Sequence, residues 1–136
     1  MLKLSRKAEY GIIALKHMLM HGSGHLTTAR EISSRYQIPV EIMAKILQSL
    51  ARAGLLESTK GARGGYRLSR PPQEISVKDV VDAIEGPVGL VECTLEDAEC
   101  SCVQYNLGVC NIDGPFSKIQ FQFEKFLEGI KLQDLA

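Results

Sequence analysis

The sequence has no apolar run near the roughly 18 residues that a membrane-spanning helix requires. Its start, MLKLSRKAEY, also lacks the apolar stretch of a secretory signal. We therefore expect a cytoplasmic protein that has no membrane partner. Thiols stay reduced in that compartment, so the four cysteines indicate metal or redox chemistry more than disulfides.

The patterns that usually accompany catalysis are missing as well. No nucleophile stands beside a base at a recognisable spacing, and the glycine-rich run lacks the GxxxxGK[ST] pattern of a phosphate loop. The cysteines lack the C-x2-C-x2-C run of bacterial ferredoxins. We predict that the chain is not an enzyme; an enzyme or electron-transfer protein is the alternative that turnover without DNA would reveal.

The net charge of zero hides an uneven distribution along the chain. Residues 1–70 carry twelve Lys and Arg against four Asp and Glu, a net charge of plus eight; residues 71–136 carry four against twelve, a net charge of minus eight. A basic first half indicates an anionic partner such as nucleic acid, with solubility alone as the alternative explanation.

Apolar spacing and capping residues predict three helices in the basic half, over residues 5–21, 28–36 and 39–53. Two short helices joined by the tight link Gln37-Ile38-Pro39 have the form of a helix-turn-helix. The third helix is predicted to bury Ile42, Met43, Ile46, Leu47 and Leu50, and to turn Glu41, Lys45 and Gln48 outward. The three histidines His17, His21 and His25 could bind a metal ion, but they surround a helix end with no cysteine nearby and are expected on the surface instead.

Two short strand-like runs follow, separated by the glycine-rich turn at residues 59–65. This pattern predicts a β-hairpin wing. Lys60 and Arg63 at its tip could approach DNA phosphates, and Arg63 could enter the minor groove. A solvated hairpin is the alternative.

The segment from Cys93 to Cys110 holds all four cysteines and several carboxylates, with a glycine near its end. Carboxylates disfavour the thiolate that a nucleophilic cysteine needs, whereas a bound metal would itself deprotonate the thiols. The segment therefore predicts a metal-binding loop, which follows a helix over residues 76–85.

The last predicted helix begins near Pro115 and shows apolar residues at steps of three, four, three and four. Such a seam is typical of helix association and predicts a homodimer. Packing against the first helix of the same chain is the alternative. The seam consists of Phe116, Ile119, Phe123, Phe126 and Ile130. We expect a mainly α protein with a winged helix-turn-helix domain (residues 1–72), a linking helix and cysteine loop (73–112) and a dimerisation helix (113–136).

The wing residues GARGGYRL, the Arg70-Pro71 break, the following helix and Cys93 together resemble the IscR/NsrR/RirA family of bacterial winged-helix transcription regulators. The resemblance extends over nearly the whole chain. It implies a dimer that binds palindromic double-stranded operator DNA, and an iron–sulfur cluster on three cysteines. The state of that cluster would respond to iron, cluster supply, redox stress or a small molecule such as nitric oxide.

The resemblance also implies a ligand set. Cys93 matches the first ligand of the family and Cys110 the last, while Cys102 is favoured over Cys100 as the middle ligand because it keeps the usual spacing to Cys110. The fourth ligand is expected to be Glu9 of the partner subunit, with Asp113, Cys100 or a small exogenous ligand as alternatives. The cluster could hold two or four irons.

The predicted function is a cluster-sensing transcriptional regulator, most simply a repressor. The predicted DNA contacts are Thr28, Glu41, Lys45, Gln48, Lys60, Arg63 and Gly64. The alternative is a winged-helix regulator without a cluster, controlled by a protein partner, zinc or thiol oxidation.

Overall fold

A computed structural model describes residues 3–22, 24–87, 107–109 and 111–136, and the side chain of Asp113 is outside this description. The basic half forms helices α1 (Arg6–His21), α2 (Ala29–Tyr36) and α3 (Val40–Arg52). Strands β1 (Leu56–Thr59) and β2 (Gly65–Leu68) follow. After a short 3-10 turn, Pro72–Glu74, come α4 (Val77–Glu85), α5 (Asp113–Gly129) and a final 3-10 turn, Leu132–Leu135.

Capping residues begin the helices where the sequence indicates. The Ser5 side chain accepts a hydrogen bond from the Ala8 N–H at the start of α1, and Thr28 accepts one from the Glu31 N–H at the start of α2. Ser76 and Asp79 form a reciprocal capping box at α4. Each cap satisfies a backbone donor that the helix cannot, so local sequence determines these helix starts.

The core lies where α1, α3 and α4 pack together beneath the wing. Its fully buried large side chains include Leu15, Ile32, Met43, Leu47, Leu50, Leu55, Ile75 and Val81. Leu132, from the final turn, belongs to the same core. Backbone hydrogen bonds from Val77 N–H to the Ile130 carbonyl (2.8 Å) and from Leu132 N–H to the Ile75 carbonyl (2.7 Å) join the segment after α5 to the start of α4.

The winged helix-turn-helix architecture with a C-terminal helix is confirmed, but some placements differ from the prediction. Ile42 is 36% exposed rather than buried, because it lies on the flank of α3. His17 is only 4% exposed, so its predicted surface position was wrong. Pro39 precedes α3 as its N-cap, Pro115 is the third residue of α5, and Ile130 follows the end of α5 in extended conformation.

Candidate nucleic-acid interface

The turn between α2 and α3 is closed by backbone geometry. Gln37 adopts a left-handed conformation (φ 57°), and its N–H donates to the Ser33 carbonyl. The Ile38 N–H donates to the same carbonyl at 3.2 Å, so two donors cap the end of α2. The chain thus changes direction sharply within three residues, as a helix-turn-helix requires.

The outer face of α3 carries a polar stripe. Glu41, Lys45 and Gln48 are all exposed, while Met43, Ile46, Leu47 and Leu50 are buried on the opposite face. Steps of four and three residues place the three polar side chains on one line along the helix. This face can present hydrogen-bond donors and acceptors to base edges.

Two apolar residues near the start of α3 are exposed as well. Val40 is 38% exposed and Ile42 is 36% exposed. Neither residue was among the predicted interface residues, and the apolar spacing had placed Ile42 on the buried face. An exposed aliphatic side chain beside polar side chains that face the bases can contact the methyl group of thymine.

The wing is a two-stranded antiparallel hairpin in which Leu56 pairs with Leu68 and Thr59 with Gly65. Thr27 adds an isolated bridge to Tyr66, with N–H to carbonyl hydrogen bonds of 2.9 Å and 2.7 Å in the two directions. A Cβ on Gly65 would lie 2.9 Å from the Thr27 carbonyl oxygen. The approach of Thr27 to the hairpin therefore requires glycine at position 65 and joins the wing to the start of α2.

The cations at the wing differ in their surroundings. Arg67 Nε donates to Glu57 Oε2 at 3.0 Å across the hairpin. Within the described part of the chain, Lys60 and Arg63 form no ion pair, and both are exposed. Their charges are therefore available to an anionic partner.

Thr28 and Gly64 can supply further polar contacts. The Thr28 hydroxyl oxygen accepts from Glu31 N–H at 3.1 Å, which leaves its own hydrogen free to donate. Thr28 is exposed and Gly64 is half-buried in the wing turn.

Part of the predicted seam on α5 is exposed in the single chain. The helix packs on α4, and its Leu127 and Gln120 are buried. Ile119 is 45% and Phe126 64% exposed, whereas Phe116, Phe123 and Ile130 are half-buried. Helical spacing places the exposed seam residues along one flank of the face that packs on α4.

The predicted cluster ligands Cys93, Cys100, Cys102 and Cys110 lie outside the described residues. Asp113 is the first residue of α5, at the end of the cysteine segment. Glu9 lies in the first turn of α1 with a side chain that is 49% exposed, and Arg6 Nη1 approaches its Oε2 at 3.5 Å. An ion pair this long and exposed is weak, so the contact with Arg6 leaves the Glu9 carboxylate able to bind a metal.

The remaining residues of the cysteine segment that the structure describes are apolar. Leu107 is 70% exposed and Val109 66% exposed, on either side of Gly108. Ile112, just before α5, is 45% exposed.

Within the described residues, no helix is both long and apolar enough to cross a bilayer.

Comparison with known protein families identifies the architecture. The model of the Rrf2 family, described as iron-dependent transcriptional regulators, matches residues 4–136. The chain belongs to the Rrf2 family. It is 37% identical over 99 residues to the protein rrf2 of Nitratidesulfovibrio vulgaris, a match that spans 73% of this chain and 66% of that protein.

Solved structures agree with this Rrf2 assignment. The structure of CymR (YrzC), the global cysteine regulator of B. subtilis, has a TM-score of 0.75 at 28% identity and covers 100% of this chain and 97% of that one. T. potens IscR has a TM-score of 0.68 at 26% identity, with coverage of 98% and 85%. The chain is a DNA-binding transcriptional regulator and not an enzyme.

Proposed function

We propose that this Rrf2-family regulator binds a palindromic operator as a homodimer, and that an iron–sulfur cluster in the cysteine segment sets its affinity for DNA. The observation that carries the proposal is the exposed polar stripe of α3 beside a wing whose two tip cations form no ion pair with any described residue. The side chains of both surfaces are exposed, so they are available to a large anionic ligand.

The two surfaces have different roles in this proposal. Glu41, Lys45 and Gln48 read base edges in the major groove. Lys60 and Arg63 contact phosphates, and Arg63 can reach the minor groove. The Thr28 hydroxyl and the Gly64 backbone position the domain on the phosphate chain, as contacts without sequence information usually do.

Dimerisation supplies the symmetry of the operator. The exposed seam on α5 would be covered by the same seam of a second chain, since a two-fold interface places one patch against its copy. Two α3 helices would then reach successive major grooves, about 34 Å apart, on a palindromic site. The exposed Phe126 and Ile119 support this arrangement, because burying them in a dimer removes apolar surface from water.

The cluster ligands proposed are the thiolates of Cys93, Cys102 and Cys110 with the carboxylate of Glu9 contributed by the other subunit; Cys100 and Asp113 are the alternatives. A bound cluster supplies redox chemistry and a site for a small molecule such as nitric oxide. A carboxylate is a harder ligand than a thiolate, so the Glu9 bond would be the most readily displaced.

Glu9 would also link sensing to DNA binding. It lies on α1, which packs against α3 in the same domain. A bond from Glu9 to the cluster of the partner chain would therefore restrain one winged domain relative to the other. A coupling free energy of about 1–3 kcal/mol between cluster and DNA is enough for a useful switch.

Anaerobic purification tests the cluster and DNA selection tests the interface. We expect a brown protein with iron and sulfide, in which Cys102→Ser loses iron and Cys100→Ser retains it. Selection from a random duplex pool should yield palindromes, and cluster removal should change affinity for them. A colourless protein that takes up no iron on reconstitution would remove the cluster and leave the DNA-binding regulator.

The similarity to the global cysteine regulator of B. subtilis favours a second candidate, a regulator without a cluster. Thiol oxidation, zinc on the cysteines or a protein partner would then control DNA binding. Metal analysis of the same preparation separates the two, because this candidate contains no iron or sulfide.

A further inference from the structure

A buried histidine connects α1 to α2. His17 is 4% exposed, and its Nε2 lies 2.5 Å from Oε2 of Glu31 on α2. Its other ring nitrogen, Nδ1, lies 2.9 Å from the Tyr36 hydroxyl oxygen. Both ring nitrogens therefore have defined partners, and neither DNA binding nor the cysteine segment accounts for this arrangement.

Two further histidines surround the same carboxylate. His21 lies one turn after His17 on α1, and the two ring centroids are 4.2 Å apart. His25 Nε2 lies 2.8 Å from Glu31 Oε1 and 3.0 Å from Oε2. All three histidines of the chain thus meet at one place.

We propose that His17, His21 and Glu31 bind a divalent transition-metal ion of the Zn²⁺ or Fe²⁺ type, with His25 and Tyr36 as positioning residues. One ligand atom from each of the three residues lies within 4.8 Å of the other two. The proposal does not depend on the cysteines or on the cluster described above.

The donor set suits these ions. Two imidazoles and one carboxylate are ligands of Zn²⁺, and the same combination holds non-haem Fe²⁺ with open coordination positions. Two ligand atoms bound at about 2.0–2.1 Å in tetrahedral geometry lie roughly 3.3 Å apart. Binding therefore requires Glu31 and His17 to separate by under about 1 Å, and the exposed His21 ring to move inward.

Hydrogen bonding orients the buried ligand. If the His17 Nδ1–H donates to the Tyr36 oxygen, Nε2 faces Glu31, and a metal ion can replace the proton between Nε2 and Oε2. Such an outer hydrogen bond to a metal-bound imidazole is a general feature of histidine sites. Burial raises the pKa of Glu31, but the hydrogen bonds and positive charge of His17 and His25 together lower it by more. The pKa of Glu31 therefore lies below its ordinary value.

A metal at this site would join α1 to α2, the first helix of the helix-turn-helix. Glu31 is in the first turn of α2, next to Thr28, one of the proposed phosphate contacts. The ion would hold α1 and α2 together from a position accessible to solvent through His21 and His25. Binding to the folded state alone would also stabilise the fold.

Histidine-selective NMR provides the direct test. Full-length protein labelled with ¹⁵N-histidine is titrated with ZnCl₂, and the ring nitrogens are followed. All three histidines of the chain lie in this cluster, so every histidine ring signal reports on this site. Zinc bound by the cysteines has no histidine elsewhere whose signal could be mistaken for binding here. We expect the His17 and His21 ring signals to change and then to saturate when one zinc ion occupies this site, with a rise in the thermal midpoint of unfolding.

Two variants and a matched control sharpen the test. His21→Gln should lower zinc affinity at least about tenfold, and Tyr36→Phe should lower it about 10–100-fold. His21 is exposed, so its replacement leaves the core intact, which circular dichroism checks. Lys16→Gln, an exposed change on the same helix, should bind zinc as the unmodified chain does.

A parallel titration with Fe²⁺ under anaerobic conditions identifies the preferred ion. The general affinity order of divalent ions predicts tighter binding of Zn²⁺ than of Fe²⁺. Binding of either ion that depends on His21 supports the site. Histidine signals that stay unchanged with both ions, or equal zinc affinity in His21→Gln and the unmodified chain, would overturn it.

Discussion

Gly64 packs against the backbone of Thr59 across the base of the wing turn, so closely that a Cβ would lie 2.1 Å from the Thr59 carbonyl oxygen. The neighbouring Gly64 N–H donates to the Gly61 carbonyl at 3.0 Å. No side chain other than hydrogen fits there without moving backbone atoms, because the nearest atom is itself a backbone atom.

We therefore expect Gly64→Ala to distort the wing. The free energy of unfolding should fall by about 1–3 kcal/mol, as overpacking usually costs. DNA affinity, measured by fluorescence anisotropy, should fall as well. Gly24→Ala is the control, because no atom of the described residues outside its chain neighbours lies within 4 Å of a Cβ there. Unchanged stability and affinity in Gly64→Ala would show that the turn relaxes easily.

Replacing Lys60 or Arg63 by Ala should weaken binding to all DNA sequences alike. Each removes one phosphate contact and should lower the slope of log affinity against log salt concentration by about one. Arg67→Ala is the matched control, since its guanidinium already pairs with Glu57. A larger change in slope for Arg67→Ala than for Lys60→Ala would contradict the proposed wing contacts.

Replacing Glu41, Lys45 or Gln48 by Ala should change sequence preference instead. Each lost base contact is worth about 1–3 kcal/mol of discrimination at one position. Ile42→Ala should act in the same way if its side chain contacts a thymine methyl. Binding measured on a panel of single-base operator variants checks this, and uniform losses across the panel would argue against base contacts from α3.

Phe126→Asp should separate the dimer while each chain stays folded. Phe126 is 64% exposed in the single chain, so its replacement leaves the core intact, but a charge in the seam would cost on the order of 2 kcal/mol or more of association free energy. Sedimentation velocity measures the change in oligomeric state.

Phe121→Asp provides the control for the seam. Phe121 is 60% exposed on the same helix, lies off the seam and contacts Lys125, whose Nζ is 5.3 Å from the ring centroid. It should leave association unchanged. Equal dissociation by both variants would point to a general effect of charge on α5, and no dissociation by Phe126→Asp would contradict the seam.

Lys78 gives the fold a dependence on alkaline pH. A hydrogen bond to Asp82 at 2.6 Å raises its pKa above the ordinary 10.5, against the effect of burial, and the charges of Asp82, Glu124 and Glu128 add to the increase. A raised pKa in the folded state stabilises the fold below the ordinary pKa. That stabilisation is lost as pH rises through the raised value.

Lys78→Met should therefore be less stable than the unmodified chain at neutral pH, by about 0.5 kcal/mol. The difference should shrink at alkaline pH above the ordinary lysine pKa of 10.5, as Lys78 loses its proton. Urea denaturation at several pH values measures it, with Lys118→Met, an exposed lysine of α5, as the control. A difference that stays constant up to high pH would show that packing, not charge, is responsible.

The sequence by itself determined the order of the helices, the starts of α1, α2 and α4, and the wing. Ser5, Thr28 and Ser76 act on backbone donors three residues away, and the wing glycines act within one turn, so these signals are local. The apolar spacing of α3 identified most of its buried face for the same reason. At Ile42 spacing was not enough, because exposure at the flank of a helix depends on what packs beside it.

Only the tertiary structure decided which distant residues meet. Glu31 is 14 residues from His17 in the chain, and its carboxylate could have closed a capping box; the packing of α2 on the rest of the domain turned it toward His17 and His25 instead. Leu132 entered the core because backbone hydrogen bonds join Ile130 to Val77 and Leu132 to Ile75, at the start of α4. Such contacts arise from the relative placement of whole elements, which no local pattern specifies, and they buried His17, for which the sequence had indicated a surface position.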